Sequence, residues 1–397
     1  MNERTTMARE DAAATPVAAT GSELTQIALS FLRLGMVAFG GPAAHIAMME
    51  EEFVRRRGWV SHADFLDMLG ASNLVPGPSS TEMAIHIGHQ RAGWRGLAVG
   101  GACFILPAML LVMVCAWAYV TFGSLPQIQG VLYAVKPVII AVVLQALWSL
   151  AGSAIKGKFL AAIGILATAA ALAGGNVLVI LLAAGFVAVL QAWFRDRAYC
   201  LAAVQASKSL VAVTASAAPI AVTLSGLFLV FLKFGAVIFG SGYLLLAFLQ
   251  ADLVNRLHWL TQAQLLDAVA VGQVTPGPVF TTATFIGYLL GGIPGAVVAT
   301  VGIFLPGFIF VAASRPLIPR IRSSKIAGAF LDGVNVGAVA LMLAVTFQLG
   351  RAAVVDPLTA GIAAVSAFAL LYFRINSAWL IGASALLGLV AMNRFGG

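Results

Sequence analysis

The sequence predicts an all-α, polytopic membrane protein made of two homologous halves. Of its 397 residues, 61% are hydrophobic and only 10% are charged, and the mean hydropathy is +0.98. A soluble globular chain carries about 25% charged residues, so this composition indicates a chain that lies in a lipid bilayer. The other two observations are an internal repeat and a reversal of loop charge between the halves.

The composition also argues against several classes of function. Lys and Arg number 23 against 15 Asp and Glu, an excess that anionic lipid headgroups explain without any nucleic acid. Cys103, Cys115 and Cys200 form no C-x-x-C pair and the histidines show no metal-ligand spacing, so we expect no metal and no cofactor. The sequence has no nucleotide-binding motif, so an ATP-driven pump would need a separate subunit. If the protein is a transporter, we therefore expect it to be a secondary transporter. No nucleophile and base are paired, so we do not expect an enzyme.

The internal repeat divides the chain. Residues 31–35 (FLRLG) align with 231–235 (FLKFG), and Pro-Gly-Pro at 76–78 aligns with Pro-Gly-Pro at 276–278. After these motifs a one-residue deletion changes the offset from 200 to 199. We therefore expect a disordered tail at 1–22, a first half at 23–194, a linker at 195–217 and a second half at 218–394.

Each half begins with a long apolar element that glycines interrupt, at 24–49 and 218–249. An amphipathic region then leads to Pro-Gly-Pro, and four hydrophobic runs follow. These runs are 97–122, 130–153, 159–174 and 176–194 in the first half, and 295–313, 326–350, 358–373 and 377–392 in the second. Most approach the roughly 20 residues that span the hydrocarbon, which predicts about ten transmembrane helices plus re-entrant or broken helices at the Pro-Gly-Pro motifs.

Loop charge predicts the relative orientation of the halves. Arg91 and Arg95 lie before the first of the four runs in half one, whereas the equivalent 287–295 is uncharged. The next loop is uncharged at 124–130 but strongly basic at 314–325. Because basic loops favour the cytoplasmic side, equivalent loops are expected on opposite sides, which is an inverted-topology repeat.

Two cations occupy equivalent places in the first apolar elements, Arg33 and Lys233. A cation at a helix centre costs about 2.5 to 3.5 kcal/mol, so each is expected to have a partner, a water-filled cavity or a ligand. In an inverted repeat the two would approach each other near the pseudo-two-fold axis and suit a small dianion. The alternative is that each one snorkels to the interface or pairs with an acid.

The Pro-Gly-Pro motifs must interrupt a helix, because proline lacks an N–H and disfavours helical angles in the residue before it. Ser61 with Asp64 and Thr261 with Gln264 have N-cap spacing, so a helix should begin there and end at the break. A new helix after each break would direct its free N–H groups into the gap and form an oxyanion cradle, with neighbouring hydroxyls as additional donors. The alternative is a loop that only turns the chain back. The candidate substrate-binding residues are Arg33, Gly40, Gly41, Asn73, Pro76, Gly77, Pro78, Ser79, Ser80, Thr81, Lys233, Gly240, Gln273, Pro276, Gly277, Pro278, Thr281 and Thr282.

Three further features bear on mechanism. Glu82 and His86 share a helical face after the first break and could relay a proton, although the second half has Thr282 and an isoleucine there. Lys136 and Asp332 lie inside apolar runs and should each form a structural or gating salt bridge. The glycine-rich segments 39–42 and 239–242 would either allow close packing or split the first element into two half-helices.

These motifs resemble the chromate ion transporters in their long two-domain form. The resemblance rests on 31–42 (FLRLGMVAFGGP), 73–78 (NLVPGP) and their second-half counterparts FLKFGAVIFGSG and QVTPGP, and it covers nearly the whole chain beyond the tail. It implies export of chromate across the bacterial inner membrane, with sulfate as a competing or exchanged anion and chromate resistance as the result. The second half departs from the first with Ser241-Gly242 where the first has Gly41-Pro42. A homodimer is expected, and oxyanion uptake and a passive anion channel remain the alternatives.

Overall fold

The computed structural model describes residues 21–39, 41–72, 75–195, 222–238, 242, 244–314, 324–373, 375 and 377–395. All regular elements in these ranges are helices. The expected tail and linker lie almost entirely outside them. The first helix begins at Gly21, two residues before the predicted start of the first half at 23.

The first half contains seven helices. They are α1 (Gly21–Val37), α2 (Gly41–Met49), α3 (His62–Ser72), α4 (Ser79–Phe122), α5 (Pro126–Ala154), α6 (Lys158–Leu172) and α7 (Val177–Arg195). A π-helical segment, Glu50–Arg56, continues α2. The break between α1 and α2 shows that the first apolar element is two helices, one of the two uses expected for its glycines.

The second half repeats this order. Its helices are α8 (Leu224–Val237), α9 (Leu244–Phe248), α10 (Gln262–Val274), α11 (Thr282–Ser314), α12 (Lys325–Ala353), α13 (Pro357–Tyr372) and α14 (Ser377–Phe395). A π-helical segment, Leu249–Arg256, continues α9, and one 3₁₀ turn, Val279–Thr281, precedes α11. The predicted caps are present, since Thr261 and Gln264 form a capping box and Ser61 accepts from the N–H of Asp64 at 3.1 Å.

The helices α4 and α11 are each folded back on themselves. Non-helical angles at Ala92 and Gly93 divide α4, and Gly291 and Gly292 divide α11 in the same way. A β-carbon on Gly88, before the turn in α4, would collide with the carbonyl oxygen of Gly96 beyond the turn, so the two limbs pass backbone against backbone. The first limb, 79–91, rises only about 20 Å at 1.5 Å per residue, less than the roughly 30 Å of hydrocarbon. The chain therefore reaches only part of the way across a bilayer between the Pro-Gly-Pro break and the turn.

The apolar helices agree with the predicted runs. Five are long and apolar enough to cross a membrane, and four shorter apolar helices accompany them in the described part of the chain. Large side chains such as Trp148 and Trp379, both 77% exposed, cover the outside of these helices. An exposed apolar surface of this kind fits contact with lipid. The number of crossings and the inverted topology stay predictions.

The two halves interlock. Helix α5 of the first half packs against α13 and α14 of the second, and α12 of the second half packs against α6 and α7 of the first. Polar contacts also join the two halves. Tyr133 donates to Asp356 at the start of α13. Lys156, just before α6, pairs with Asp332 at 2.8 Å. The expectation of one salt bridge for Asp332 is thus confirmed. Because each half supplies helices to the other's bundle, the halves cannot move as two separate rigid bodies.

The remaining helices of the two halves are packed differently. In the second half, α10 packs against both α5 and α12, and its residues from Leu265 to Ala270 are buried. In the first half, α3 packs against α4 and the neighbouring π-helical segment, and Leu66 is 50% exposed. The buried apolar residues of α1 to α3 and part of α4 form a cluster of their own, whereas most of those of α8 to α11 belong to the main core, which also includes Ile105, Val112 and Ala116 of α4. The structure is therefore asymmetric although the sequence is duplicated.

Candidate functional site

Both Pro-Gly-Pro motifs are buried breaks between helices, as predicted. The first lies between α3 and α4 and the second between α10 and α11, and in each the last proline is extended. The glycine at the centre takes a positive φ, +143° at Gly77 and +93° at Gly277, a conformation that favours glycine.

Each break is held by the opposite half of the chain. The N–H of Gly77 donates to the carbonyl oxygen of Ile238 at 2.8 Å, and the N–H of Gly277 donates to that of Ala38 at 2.9 Å. Ala38 follows α1 and Ile238 follows α8, so each acceptor lies just beyond the end of a first-element helix. These two reciprocal bonds join the four chain breaks in two pairs, each with one member from either half. Reciprocal contacts of this kind are what a pseudo-two-fold axis produces.

Close packing fixes the two breaks differently. A β-carbon on Gly277 would lie 2.6 Å from the β-carbon of Ala108 on the second limb of α4. A β-carbon on Gly77 would collide instead with Oε1 of Glu82, and Gly307 is the residue of α11 that faces this glutamate. Gly307 is the residue of the second half that is equivalent to Ala108. Because it has no side chain, it leaves room for the Glu82 side chain.

The first break has buried polar groups without partners. Thr81 and Glu82, in the first turn of α4, are 1% and 0% exposed, and neither the Thr81 hydroxyl nor either Glu82 oxygen has a hydrogen-bond partner in the described structure. His86, one turn further along, is 7% exposed. Since buried polar groups are nearly always bonded, Thr81 and Glu82 make the first break a candidate site for a ligand or a proton.

The second break offers donors of another kind. The hydroxyls of Thr281 and Thr282 donate to the carbonyl oxygens of Pro278 and Val279, both at 2.8 Å. A hydroxyl in a first helical turn readily reaches a nearby carbonyl. That these two hydroxyls serve an anion as neutral donors stays a prediction. The buried Nε2 of Gln273, three residues before Pro276, has no partner in the described structure. It is an available donor beside the backbone N–H groups.

Arg33 and Lys233 each lie beside an acid of their own half. Lys233 pairs with Asp252 at 2.6 Å, and Arg256 pairs with the other oxygen of Asp252 at 3.1 Å. Arg33 is exposed and interacts electrostatically with Glu52, the residue equivalent to Asp252. Each cation thus has an acid of its own half, because the π-helical segments fold back beside α1 and α8. This is the alternative in which each cation pairs with an acid.

A buried cross-half cluster lies on α10, the helix that leads to the second break. Lys136 on α5 pairs with Asp267 on α10 at 3.0 Å, and the Tyr119 hydroxyl donates to Asp267 at 3.0 Å. Asp267 is 3% exposed, whereas the equivalent Asp67 on α3 is exposed. The predicted salt bridge of Lys136 is confirmed. The sequence did not identify its partner. The repeat shows only that Asp267 is equivalent to Asp67, and it does not show that α5 contacts α10.

His45 was also missed as a site residue. It is 1% exposed, and its Nε2 lies 3.0 Å from the carbonyl oxygen of Ala38, the same oxygen that accepts from Gly277. The equivalent position in the second half is Leu245, so this departure from the repeat was the available signal. Of the remaining candidates, Gly41 begins α2 with a φ of +79°, while Gly40, Asn73 and Gly240 lie outside the described residues.

The fold and its two buried breaks define a multi-pass helical membrane protein of the transporter class. A family model described as Chromate transporter matches residues 25–190 and 225–389, so the chain belongs to the chromate transporter family, with two copies of the family's repeat.

Three relatives illustrate this similarity. The chain is 33% identical over 378 residues to a chromate transport protein of Cupriavidus metallidurans, covering 93% of each chain. It is 32% identical over 381 residues to a chromate transport protein of Pseudomonas aeruginosa, covering 91% of each. A probable chromate transport protein of Synechococcus elongatus is 30% identical over 341 residues, which is 84% of this chain and 86% of the relative. No solved structure gives a significant match to the chain.

Proposed function

We propose that this protein is a secondary transporter that exports chromate across the bacterial inner membrane and so confers chromate resistance, with sulfate as a competing or exchanged anion. The observation that carries this proposal is the pair of reciprocal bonds from Gly77 to Ile238 and from Gly277 to Ala38. They place two unwound backbone segments together inside the protein, and unwound segments at membrane depth are typical of transporter binding sites.

The donors at these breaks suit a tetrahedral oxyanion. The first N–H groups of a helix have no partner within the helix, and the helix dipole favours negative charge there. Thr81 and Gln273 add buried donors that have no partner in the described structure. One donor set on each side of the axis fits an anion whose oxygens point in several directions, as those of chromate and sulfate do.

Arg33 and Lys233 act in this proposal from the periphery of the site. Each precedes its break acceptor, Ala38 or Ile238, by five residues, a rise of about 7.5 Å along a helix. Both side chains are more than one-third exposed. They attract the anion and compensate its charge, but they do not both contact it in the site.

The asymmetry between α3 and α10 supports alternating access with inverted halves. Helix α10 is held by α5, α12 and the contact between Lys136 and Asp267, whereas α3 is exposed. In the opposite state α3 becomes buried and α10 becomes accessible, as an inverted repeat allows. Because α5 and α12 are exchanged between the halves, the moving parts are the segments α1 to α4 and α8 to α11, which move against a common bundle.

The membrane potential supplies the driving force for export. Moving a dianion out of a cell that is negative inside releases about 4.6 kcal/mol per 100 mV, from about 2.3 kcal/mol for each charge. Export by this route needs no ATP and no cofactor. A homodimer would place two such units side by side in the membrane.

Chromate uptake into inverted membrane vesicles tests the proposal, with the potential set by ionophores and sulfate offered as competitor. We expect saturable uptake that depends on an inside-positive vesicle potential and that sulfate inhibits. Vesicles without the protein are the control. Sulfate flux without chromate flux would make the protein a sulfate carrier, and non-saturable current without counterflow would make it a channel; either result would overturn chromate export.

A further inference from the structure

We propose that Glu82 is a proton-binding site linked to anion binding at the first break, so that a proton and the oxyanion occupy the protein together. The inference rests on the proposed function and adds to it the coupling ion. It starts from a carboxyl group that is 0% exposed and has no hydrogen-bond partner at either oxygen among the described residues.

The position of this carboxyl group is defined on two sides. Its Oε1 lies so close to Gly77 that a β-carbon there would collide with it. Its Cγ would lie 3.9 Å from a β-carbon on Gly307, a residue of the other half. The group is therefore at the break itself, between the halves, and in the first turn of the helix that starts there.

The surroundings supply no counter-charge to the carboxyl. The elements packed on α4 are α1, α2, α3, α10 and α11 with its 3₁₀ turn, and no ion pair joins any of their described charged groups to Glu82. The titratable or charged residues of these elements and of α4 itself are Glu23, Arg33, His45, His62, Asp64, Asp67, His86, His89, Arg91, Arg95, Cys103, Cys115, Tyr119, Asp267 and Tyr288. Several are engaged elsewhere, Arg91 with Glu23 and Asp267 with Lys136. His86 is the titratable residue one turn from Glu82 on the same helix face.

An ionised carboxylate in this place would be buried without any partner, which is strongly unfavourable. It would also lie beside the α4 N-terminus, where it would repel an oxyanion that binds there. Protonation removes both penalties and adds an O–H that can donate to the anion. Proton binding thus strengthens anion binding, and by linkage the anion strengthens proton binding by the same factor.

The second half has Thr282 at the equivalent position, so the duplicated site carries one such carboxyl and not two. One proton would therefore accompany each dianion. The charge moved per anion is halved, from two to one, and the flux gains a dependence on the pH gradient. This stoichiometry separates proton-linked transport from movement of the bare dianion.

Reconstituted vesicles test the inference, with sulfate as the probe because it stays a dianion across the pH range used. A pH-sensitive dye inside the vesicles reports proton movement, while labelled sulfate and chromate report anion flux. For wild type we expect protons to move in the same direction as sulfate. The half-saturating sulfate concentration should rise with pH, by up to about tenfold per pH unit where the carboxyl of the empty site is ionised.

Glu82→Gln mimics the protonated side chain, so we expect it to remove both the proton movement and the pH dependence, whatever its absolute rate. Glu51→Gln, at an exposed glutamate of the same half, is the matched control and should keep both. Sulfate protection against thermal unfolding, measured over the same pH range, gives a second readout if Glu82→Gln transports slowly. Its protection should then not depend on pH.

The outcomes distinguish the two proposals. Anion flux in wild type without proton movement, or an unchanged pH dependence in Glu82→Gln, would overturn the role of Glu82 and leave the anion carrier intact. No flux of either anion in wild type would overturn the proposed function, and the inference would fall with it.

Discussion

The N–H of Gly77 donates a 2.8 Å hydrogen bond to the carbonyl oxygen of Ile238, a residue 161 positions later in the other half of the chain. The bond from Gly277 to Ala38 is its counterpart. Backbone groups inside a membrane protein need partners, because the hydrocarbon offers none. Here each half satisfies the broken helix of the other, so neither half can form its own site alone.

Gly77→Ala should impair transport and cost about 1 to 3 kcal/mol of stability. An alanine there is strained at a φ of +143° and its methyl group would collide with Glu82. Gly70→Ala is the control, since a β-carbon on Gly70 meets nothing within 4 Å. Chromate flux and thermal unfolding of both variants check this. Equal flux for the two variants would show that the break tolerates a side chain.

Lys136→Met should destabilise the protein by about 3 kcal/mol, because it leaves Asp267 buried without its charge partner. Adding Asp267→Leu should recover most of that loss, which identifies a coupled pair. Lys156→Met is the matched control, with a cost within about 1 kcal/mol, since Lys156 is 61% exposed in its pair with Asp332. Unfolding in detergent measures all three. If the two lysine variants lose the same stability, the buried pair has no special role.

Breaking the same pair should also change the population of states. A cysteine at Ala268, which is buried on α10, should react with a membrane-impermeant thiol reagent more often when Lys136 is replaced by methionine. The reason is that this contact holds α10 between α5 and α12. The labelling rate, compared with that of the same cysteine beside an intact Lys136, is the measurement. An unchanged rate would mean that the contact does not hold α10 closed.

Lys233→Ala should lower chromate flux about tenfold, as expected from the loss of about 1.4 kcal/mol of charge attraction. Lys233 also pairs with Asp252, so the double variant with Asp252→Asn separates two roles. If the lysine serves the anion, flux stays low in the double variant. Recovery to the wild-type rate would show that Lys233 only balances the acid. Arg33→Ala should lower flux in the same way.

The ion pairs of Glu52, in the first half, predict a pH dependence of the stability of the protein. A hydrogen bond from Arg57, helped by the charges of Arg57, Arg56 and Arg33, lowers the pKa of Glu52 below its ordinary value of 4.5. A lowered folded-state pKa means that this stabilisation is present above pH 4.5 and is lost as the pH falls through the folded-state value. Thermal unfolding of wild type and Glu52→Gln should therefore differ at neutral pH and converge in acid. A constant difference would contradict the ion pairs.

Much of the site was predictable from local rules. Proline chemistry predicted the two breaks, and the N-cap spacing at Thr261 and Gln264 predicted the start of α10. The aligned glycines left two alternatives open, of which the break between α1 and α2 is one. The charged partners were not predictable. Lys233 could face Arg33 or an acid, and the choice depends on how the π-helical segment returns beside α8. That return is a packing result, without a signature in the residues themselves.

The sequence by itself determined a duplicated, apolar, helical chain in which a Pro-Gly-Pro break separates two helices in each half. Composition, repetition and proline chemistry can all be read from the residues without knowing the tertiary contacts. Only the tertiary structure decided that the breaks bond to each other's half, that α5 and α12 are exchanged, and that Asp267 is buried while Asp67 is exposed. Backbone hydrogen bonds use atoms that every residue except proline has, so the sequence does not show which residues form them. Two nearly equivalent segments can also pack in different ways at similar free energy, and a transporter needs that equivalence.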